Sequence, residues 1–294
     1  MELSLREIQA AAGAIGLKVE DGSLLGKGAA NMVYALDSRH VLRVLYSEDS
    51  ADRECFLKEM EVYRVLTENP ALLLPRVLHW EVTGRPWAIM RRVKGLPLLN
   101  LWQTMKPNIR VELLKQLANQ LRLIHGYNFD EFELSEKYLL DWPLVMAEKR
   151  DFVIKLTTRP DFPQLEPTLM QWLLACLDEE PQEAVYQPVL LHRDMHMEHI
   201  FAQGTNLTGI IDWGWSAFGP WEYDLRHLVL ELSLKDMELF LNEYGVDEKF
   251  SIRKIQKYAV LAWFEGMEHA IEHNVPKLQE WLIRSCVKLM EFGE

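Results

Sequence analysis

"LLHRDMHMEHIFAQGTNLTGIIDWGWSAFGPWEYDLRHL", residues 190–228, is the stretch whose reading decides the fold. Its first twelve residues hold His192, His196 and His199, with Asp194 and Glu198 between them. Asp212 follows His199 by thirteen residues, inside Ile210-Ile211-Asp212-Trp213-Gly214. The pieces "VLLHRD", "HIFAQG" and "LTGIIDW" are short apolar runs closed by turn residues, which reads as short strands and turns. Two aspartates at the ends of short strands suit phosphoryl transfer. One carboxylate orients and deprotonates a hydroxyl, and the other holds Mg²⁺ on the phosphates. Magnesium is a hard cation that prefers carboxylate oxygen, so aspartate is the right residue type for the second task. Two other readings of the same residues stay open. His192, His196 and His199 could ligate zinc, although no HExxH, no cysteine and no obvious fourth ligand accompanies them. His192 and His196 could equally be core histidines bonded to backbone.

Working outward, residues 21–46 read as strands around a glycine turn. "SLLGKGAANMVYAL" leads into "HVLRVLY", with β-branched and aromatic residues bounded by Gly and Asp-Ser. Gly26-Lys27-Gly28 lets backbone amides approach a phosphate, because glycine has no Cβ in the way. It is not a Walker loop, since no Gly-Lys-Ser/Thr follows. Arg43 sits among apolar neighbours in "VLRVL", and a cation facing inward needs a partner. Glu59 is the candidate, on a helix predicted from the stripe Phe56, Met60, Tyr63 and Leu66. Two more strands are expected in "NPALLLPRVLHWEVTGRPWAIMRRVKG", with a turn at Thr83-Gly84-Arg85-Pro86. The first hundred residues thus read strand, strand, helix, strand, strand.

Beyond Gly95 the pattern becomes helical. Val111, Leu114, Leu117, Leu121 and Ile124 form a stripe that stops near His125-Gly126. Further helices are expected around 139–156, 166–178, 223–244 and 252–272, with a last one near the C-terminus. The layout is a small β-rich lobe, 1–95, followed by a larger helical lobe, 96–294, divided near Lys94 to Pro97.

The composition limits the function. The chain has 294 residues, 49% hydrophobic and 26% charged, the balance of a soluble globular protein. No apolar run approaches the roughly 18 residues of a membrane span. The start, "MELSLREIQAAAGAIGLKV", lacks a signal peptide's basic and apolar segments. Cys55, Cys176 and Cys286 are scattered and odd in number, neither a disulfide framework nor a zinc pattern, so a cytoplasmic setting is expected. A net charge of −12 argues against a nucleic-acid partner. Residues 1–100 carry 13 basic and 13 acidic side chains; the remainder carries 19 and 31. The acidic part would attract a cationic substrate or metal ions, or simply keep the protein soluble.

In order, the chain offers a Gly turn, a strand cation, a helix glutamate, an HxD loop and an IDWG strand. That order resembles the kinase-like superfamily, and specifically the aminoglycoside phosphotransferase and choline kinase family, from about Leu24 to about Leu230. The segment 190–228 looks like that family's "HGDLHPGNI…IDWE…GDPxYDL" block. The resemblance implies an α+β, bilobal protein-kinase-like fold, with a nucleotide-binding N-lobe and a helical catalytic and substrate-binding C-lobe. It implies Asp194 as catalytic base or positioner and Asp212 as the principal magnesium ligand. It implies Arg43, where relatives often have lysine, paired with Glu59. Gly26, Gly28 and Asn31 would cover the phosphates, and Met90, Arg91 and Val93 would lie on the nucleobase hinge. Asp224 and His192 would be structural.

Two positions depart from that family's pattern. His199 stands where a metal-binding asparagine is usual, and imidazole is a poor magnesium ligand. Members resembling macrolide phosphotransferases also carry histidine there. Arg43 is a fork rather than a point charge, and it can still bind phosphate. Only eleven residues separate Asp212 from Asp224, where protein kinases place a long polypeptide-gripping segment, so a small-molecule acceptor is expected. The expected activity is transfer of the γ-phosphate of ATP or GTP, with Mg²⁺, to a hydroxyl of a small molecule. An aminoglycoside or macrolide antibiotic is the first expectation. A metabolic acceptor such as choline, homoserine or a sugar amine, and a nucleotide-binding pseudokinase, are the alternatives. Trp213, Trp215, Phe218, Trp221 and Tyr223 could hold a cationic amine by cation–π contact or could be core. Glu222, Glu265, Glu268 and Glu272 could bind amines or face solvent. No nucleic-acid or membrane partner is expected, and the sequence does not fix the oligomeric state.

Overall fold

Gly28 splits the first β-rich stretch in two: its amide donates to the Asn31 carbonyl at 2.9 Å and turns the chain back on itself. The result, in a computed structural model describing residues 4–13, 15–19, 22–127, 132, 138–178, 187–246 and 248–292, is three strands before the first long helix. They are β1 (Leu24–Lys27), β2 (Asn31–Ala35) and β3 (His40–Leu45). The sequence places strands around this glycine turn but predicts two before the helix, one fewer than the three observed. It also missed the short helix α1 (Leu5–Gly13), whose Ile8 and Ala12 pack under the sheet. With β4 (Val77–Glu81) and β5 (Trp87–Arg91) they form one antiparallel sheet in the order β1-β2-β3-β5-β4. The expected turn between β4 and β5 has Gly84 at φ +69°, a conformation glycine adopts without strain.

Strand alternation sorts the side chains of this sheet. Met32, Tyr34, Leu42, Val44 and Ile89 share the face that meets α1. Arg43, opposite Val33 and Ala88 in register, falls on the other face. That face meets α2 (Ser50–Leu66), whose first turn is capped by the Asp49 side chain accepting from the Ala51 amide at 2.9 Å. The predicted stripe is the buried one: Phe56, Met60, Tyr63 and Leu66 are all at most 2% exposed.

Contacts divide the chain into two compact units. The first takes the described residues of 1–105, 130–134 and 198–216. Within it, β6 (Leu96–Pro97), β8 (Ile200–Gln203) and β9 (Asn206–Ile210) make a three-stranded sheet in the order β6-β8-β9; β7 belongs to the other unit. Gly95, at φ +85°, is required there, because a Cβ would collide with the Ala202 carbonyl. The Ile210 amide donates to Leu73 at 2.8 Å and the Ile211 amide to His199 at 3.0 Å, which anchors the end of the hairpin.

The second unit takes the described residues of 106–129, 135–197 and 217–294. Numbering its helices onward from α3 (Leu98–Leu101) of the first unit, they are α4 (Pro107–His125), α5 (Trp142–Thr157), α6 (Pro167–Asp178), α7 (Arg226–Glu231), α8 (Leu234–Tyr244), α9 (Glu248–Glu272) and α10 (Pro276–Phe292). The helix expected over 223–244 is broken, because Ser233 leaves the helical conformation to accept from the Asp236 amide and start α8. Helix α9 is apolar on nearly every side, with Tyr258, Val260, Leu261, Trp263, Phe264 and Met267 all buried, and forms the centre of this unit. A two-stranded ribbon, β7 (Val189–Leu191) against β10 (Ala217–Gly219), supports the histidine-rich loop. Among the described residues no helix is long and apolar enough to cross a membrane.

Candidate active site

In the first unit, Arg43 is the centre of an ion network. Its Nη1 donates to Glu59 Oε1 at 2.7 Å and its Nη2 to Asp212 Oδ1 at 3.0 Å. The expected partner Glu59 is therefore found, with a second carboxylate beside it. Burial opposes charge on Arg43, but Glu59 and Asp212 more than offset this and hold its pKa above the ordinary value. Burial pushes the Glu59 carboxyl up, to about 7, against the pull of Arg43, and the Asp212 charge adds to the rise. Tyr63, on the same helix, accepts the Asp212 amide proton at 3.3 Å. Asp212 has φ +70°, a region costly for a residue with a Cβ, and its side chain stays 39% exposed. His199 Nε2 stands 3.7 Å from Asp212 Oδ2 and 3.7 Å from Glu198 Oε1.

The same unit carries the expected nucleotide elements. A Cβ on Gly26 would meet nothing within 4 Å, so glycine there leaves the backbone open to approach rather than relieving a clash. The Tyr46 hydroxyl lies 2.8 Å from the Gly28 carbonyl and 2.6 Å from that of Ala29, bracing the turn. Asn31 Oδ1 is buried with no hydrogen-bond partner. Met90 is buried, Arg91 is exposed, and Val93 covers Gly209 so closely that a Cβ there would lie 2.6 Å from it.

In the second unit, the loop carrying Asp194 is held from behind. Asp224, fully buried, accepts the His192 amide at 2.8 Å and the Arg193 amide at 2.6 Å, and lies 3.1 Å from His125 Nε2. Burial alone would raise its pKa, but the His125 bond and the neighbouring donors hold it below the ordinary carboxylate value. His192 is fully buried and its Nδ1 accepts the Asp194 amide at 3.2 Å. Arg193 has φ +67°, one of three positive-φ non-glycine residues among those described. Asp194 itself is 30% exposed, with His196 Nε2 at 3.5 Å and His227 Nε2 at 3.8 Å.

His227 and Glu231 were missed as loop neighbours. Their i, i+4 spacing on α7 places both on one helix face, but nothing local shows that this face meets the loop. Glu231 Oε1 is 3.0 Å from His196 Nδ1, and its Oε2 accepts the Met197 amide at 2.8 Å. Among the described residues one group of three side chains has metal-compatible geometry: Asp194, His196 and His227. It is not the zinc set His192, His196 and His199 weighed from the sequence.

The aromatic cluster is mostly core. Trp213, Phe218 and Tyr223 are at most 2% exposed, and Trp221 stacks on Tyr244 at 5.0 Å. Trp215 alone of the five is open, at 57%. The carboxylates are largely occupied: Glu222 lies 3.5 Å from Lys254, Glu265 2.6 Å from Lys149 and Glu272 3.5 Å from Arg159.

Comparison with known proteins identifies the fold and the family. No curated protein matches the chain in sequence. Among solved structures, the GDP and kanamycin complex of APH(2")-IIia superposes with a TM-score of 0.76 at 19% identity, covering 98% of this chain and 97% of that one. The streptomycin-ATP-APH(2")-IIa ternary complex gives 0.70 at 18% identity over 91% of each chain. Aminoglycoside phosphotransferase APH(4)-Ia gives 0.66 at 16% identity over 99% of this chain and all of that one. These likenesses establish the fold, the α+β protein-kinase-like one expected from the motif order. The family model described as "Phosphotransferase enzyme family" matches residues 21–263, a span that includes Arg43, Glu59, Asp194, Asp212 and Asp224. The chain therefore belongs to the phosphotransferase enzyme family and is a small-molecule phosphotransferase.

Proposed function

We propose that the protein transfers the γ-phosphate of ATP or GTP to a hydroxyl of a small molecule, with aminoglycoside and macrolide antibiotics as the leading acceptor class. One observation carries the reading most of the way. Buried Asp224 takes both amides at the head of the loop, and Asp194 stands on that braced backbone with a partly exposed carboxylate. A carboxylate fixed in this way is suited to receive a proton at a defined position.

In the proposed reaction Asp194 accepts the proton of the acceptor hydroxyl as its oxygen bonds to the γ-phosphorus. The bond from that phosphorus to the β–γ bridging oxygen breaks, and the nucleoside diphosphate leaves. Arg43, held by Glu59, offers charge to the phosphates; Gly26, Gly28 and Asn31 cover them. Met90, Arg91 and Val93 lie along the nucleobase. Asp212 has a partly exposed carboxylate and fits magnesium, whereas His199 is the wrong donor for direct contact and would reach the ion through water. When bound, the ion would neutralise charge on the phosphates.

The acceptor assignment draws on the antibiotics in the complexes named above and on exposed Trp215, a surface for an amine. A polycationic acceptor would have to compete with the lysines and arginine already on Glu222, Glu265 and Glu272. A screen of aminoglycosides, macrolides, choline, homoserine and sugar amines for acceptor-stimulated release of ADP or GDP tests the proposal. Turnover only with a metabolic acceptor would replace the antibiotic reading. Nucleotide binding with no release for any acceptor would favour the pseudokinase.

A further inference from the structure

The phosphotransfer scheme leaves two imidazoles beside Asp194 without a task. His196 Nε2 is 3.5 Å and His227 Nε2 is 3.8 Å from Asp194 Oδ1, and the three ligand atoms all lie within 4.8 Å of one another. Zinc takes such ligands at about 2.0–2.2 Å, which puts neighbouring donors about 3.3–3.5 Å apart in a tetrahedral shell. Of the three separations, His196 to Asp194 already matches and His227 to Asp194 needs to close by a few tenths of an ångström, while the third, between the two imidazoles, lies within 4.8 Å.

An independent feature prepares His196 as a ligand. Glu231 is pinned by the Met197 amide at 2.8 Å and lies 3.0 Å from His196 Nδ1. A proton held on Nδ1 leaves the basic Nε2 toward Asp194, the outer carboxylate support that metal-binding histidines usually have. The His196 and His227 rings stack with centroids 3.7 Å apart and planes at 29°, so sharing one zinc would require the two rings to spread.

We propose that Asp194, His196 and His227 form a site for one transition-metal cation, zinc in particular, and that filling it stops phosphoryl transfer by occupying the Asp194 carboxylate. Two imidazoles with one carboxylate favour zinc over magnesium, so this cation is distinct from the one assigned to Asp212. Three protein ligands leave a fourth position for water. The inhibition rests on Asp194 being the base of the proposed reaction; the binding does not.

The test uses the full chain after chelator treatment, titrated with Co²⁺ and then Zn²⁺. One equivalent of Co²⁺ is expected to produce a saturable visible absorption band that one equivalent of Zn²⁺ removes. His227→Asn and His196→Gln are expected to weaken binding tenfold or more. Glu231→Gln, which leaves all three ligands in place, is expected to weaken it by about 10–100-fold. In turnover assays at saturating Mg²⁺, Zn²⁺ is expected to inhibit the wild type at concentrations that fill the Co²⁺-detected site. Absence of saturable Co²⁺ binding, or wild-type affinity in all three variants, overturns the site. Binding without inhibition upholds the site and overturns the capture of the base. A protein that turns over no acceptor fails the proposed function yet leaves the Co²⁺ result unaffected.

Discussion

Arg43 and Asp212, 169 residues apart in sequence, are joined by a 3.0 Å charged hydrogen bond from the guanidinium whose other amino group holds Glu59. The arginine thus ties the helix glutamate to the carboxylate proposed for magnesium, a bridge that its planar fork can span and a lysine's single ammonium would span less well. Replacing it exposes what it balances. Arg43→Met leaves Glu59 buried and unpaired, a loss of about 3–5 kcal/mol at pH values where Glu59 must ionise. Glu59 has a folded pKa raised to about 7, above its unfolded value of about 4.3. Its favourable contribution is therefore complete below about pH 4.3 and is lost as pH rises through 7. Without Arg43 the folded value climbs further, so thermal melts should show a larger deficit for Arg43→Met at about pH 8 than at about pH 6. Equal deficits would refute the linkage.

His199 faces Asp212 at 3.7 Å with a nitrogen where magnesium prefers oxygen. His199→Asn should lower the Mg²⁺ concentration for half-maximal turnover several-fold, with a smaller change at saturating Mg²⁺. An unchanged requirement would remove His199 from the metal's surroundings, and a raised one would show that the imidazole serves the ion better than an amide.

Asp224 satisfies two backbone amides and faces His125 with no solvent exposure. Asp224→Ala orphans those donors, at about 1–3 kcal/mol each, and should also depress turnover because the Asp194 loop loses its brace. The lowered pKa gives the sign for acid. Stability from Asp224 is present above its unfolded value of about 3.9 and is lost as pH falls through the folded one. The wild type should therefore have a steeper acid limb than Asp224→Asn in pH-dependent melts.

Trp213 and Trp215 separate packing from recognition. Trp213 is fully buried, and Trp213→Ala should cost about 3–5 kcal/mol. Trp215 is 57% exposed, so Trp215→Ala should leave the melting temperature nearly unchanged and raise the KM of the acceptor. A substantial drop in melting temperature with unaltered KM would make Trp215 structural.

Local chemistry explains what the sequence made legible. The stripe Phe56, Met60, Tyr63 and Leu66 marks a helix because period and burial coincide, and Arg43 between apolar neighbours required a countercharge that a helix glutamate could supply. The break at Ser233 was hidden because apolar residues continue on both sides of it. One of the three strands over 21–46 goes uncounted because the turns that separate them are only three or four residues long. The Arg43–Asp212 bond and the His196–His227 stack were beyond reach for another reason: each joins segments far apart in sequence, and no local pattern encodes such a meeting. Charge pairing likewise emptied most of the acidic cluster that composition alone presented as a binding surface.

The hairpin 198–216 belongs to the same compact unit as residues 1–105, and this sets an order of events during synthesis. A nascent chain that has exposed residue 105 already possesses every strand of the five-stranded sheet, yet its largely buried Arg43 has one carboxylate instead of two. About a hundred further residues must leave the ribosome before Asp212 arrives. At about 5–20 residues per second that is a wait on the order of ten seconds. The N-terminal sheet therefore has to persist as an unfinished structure while about a hundred further residues are made. Its final closure follows Asp212, close to the moment when Asp224, twelve residues later, becomes available to fix the Asp194 loop.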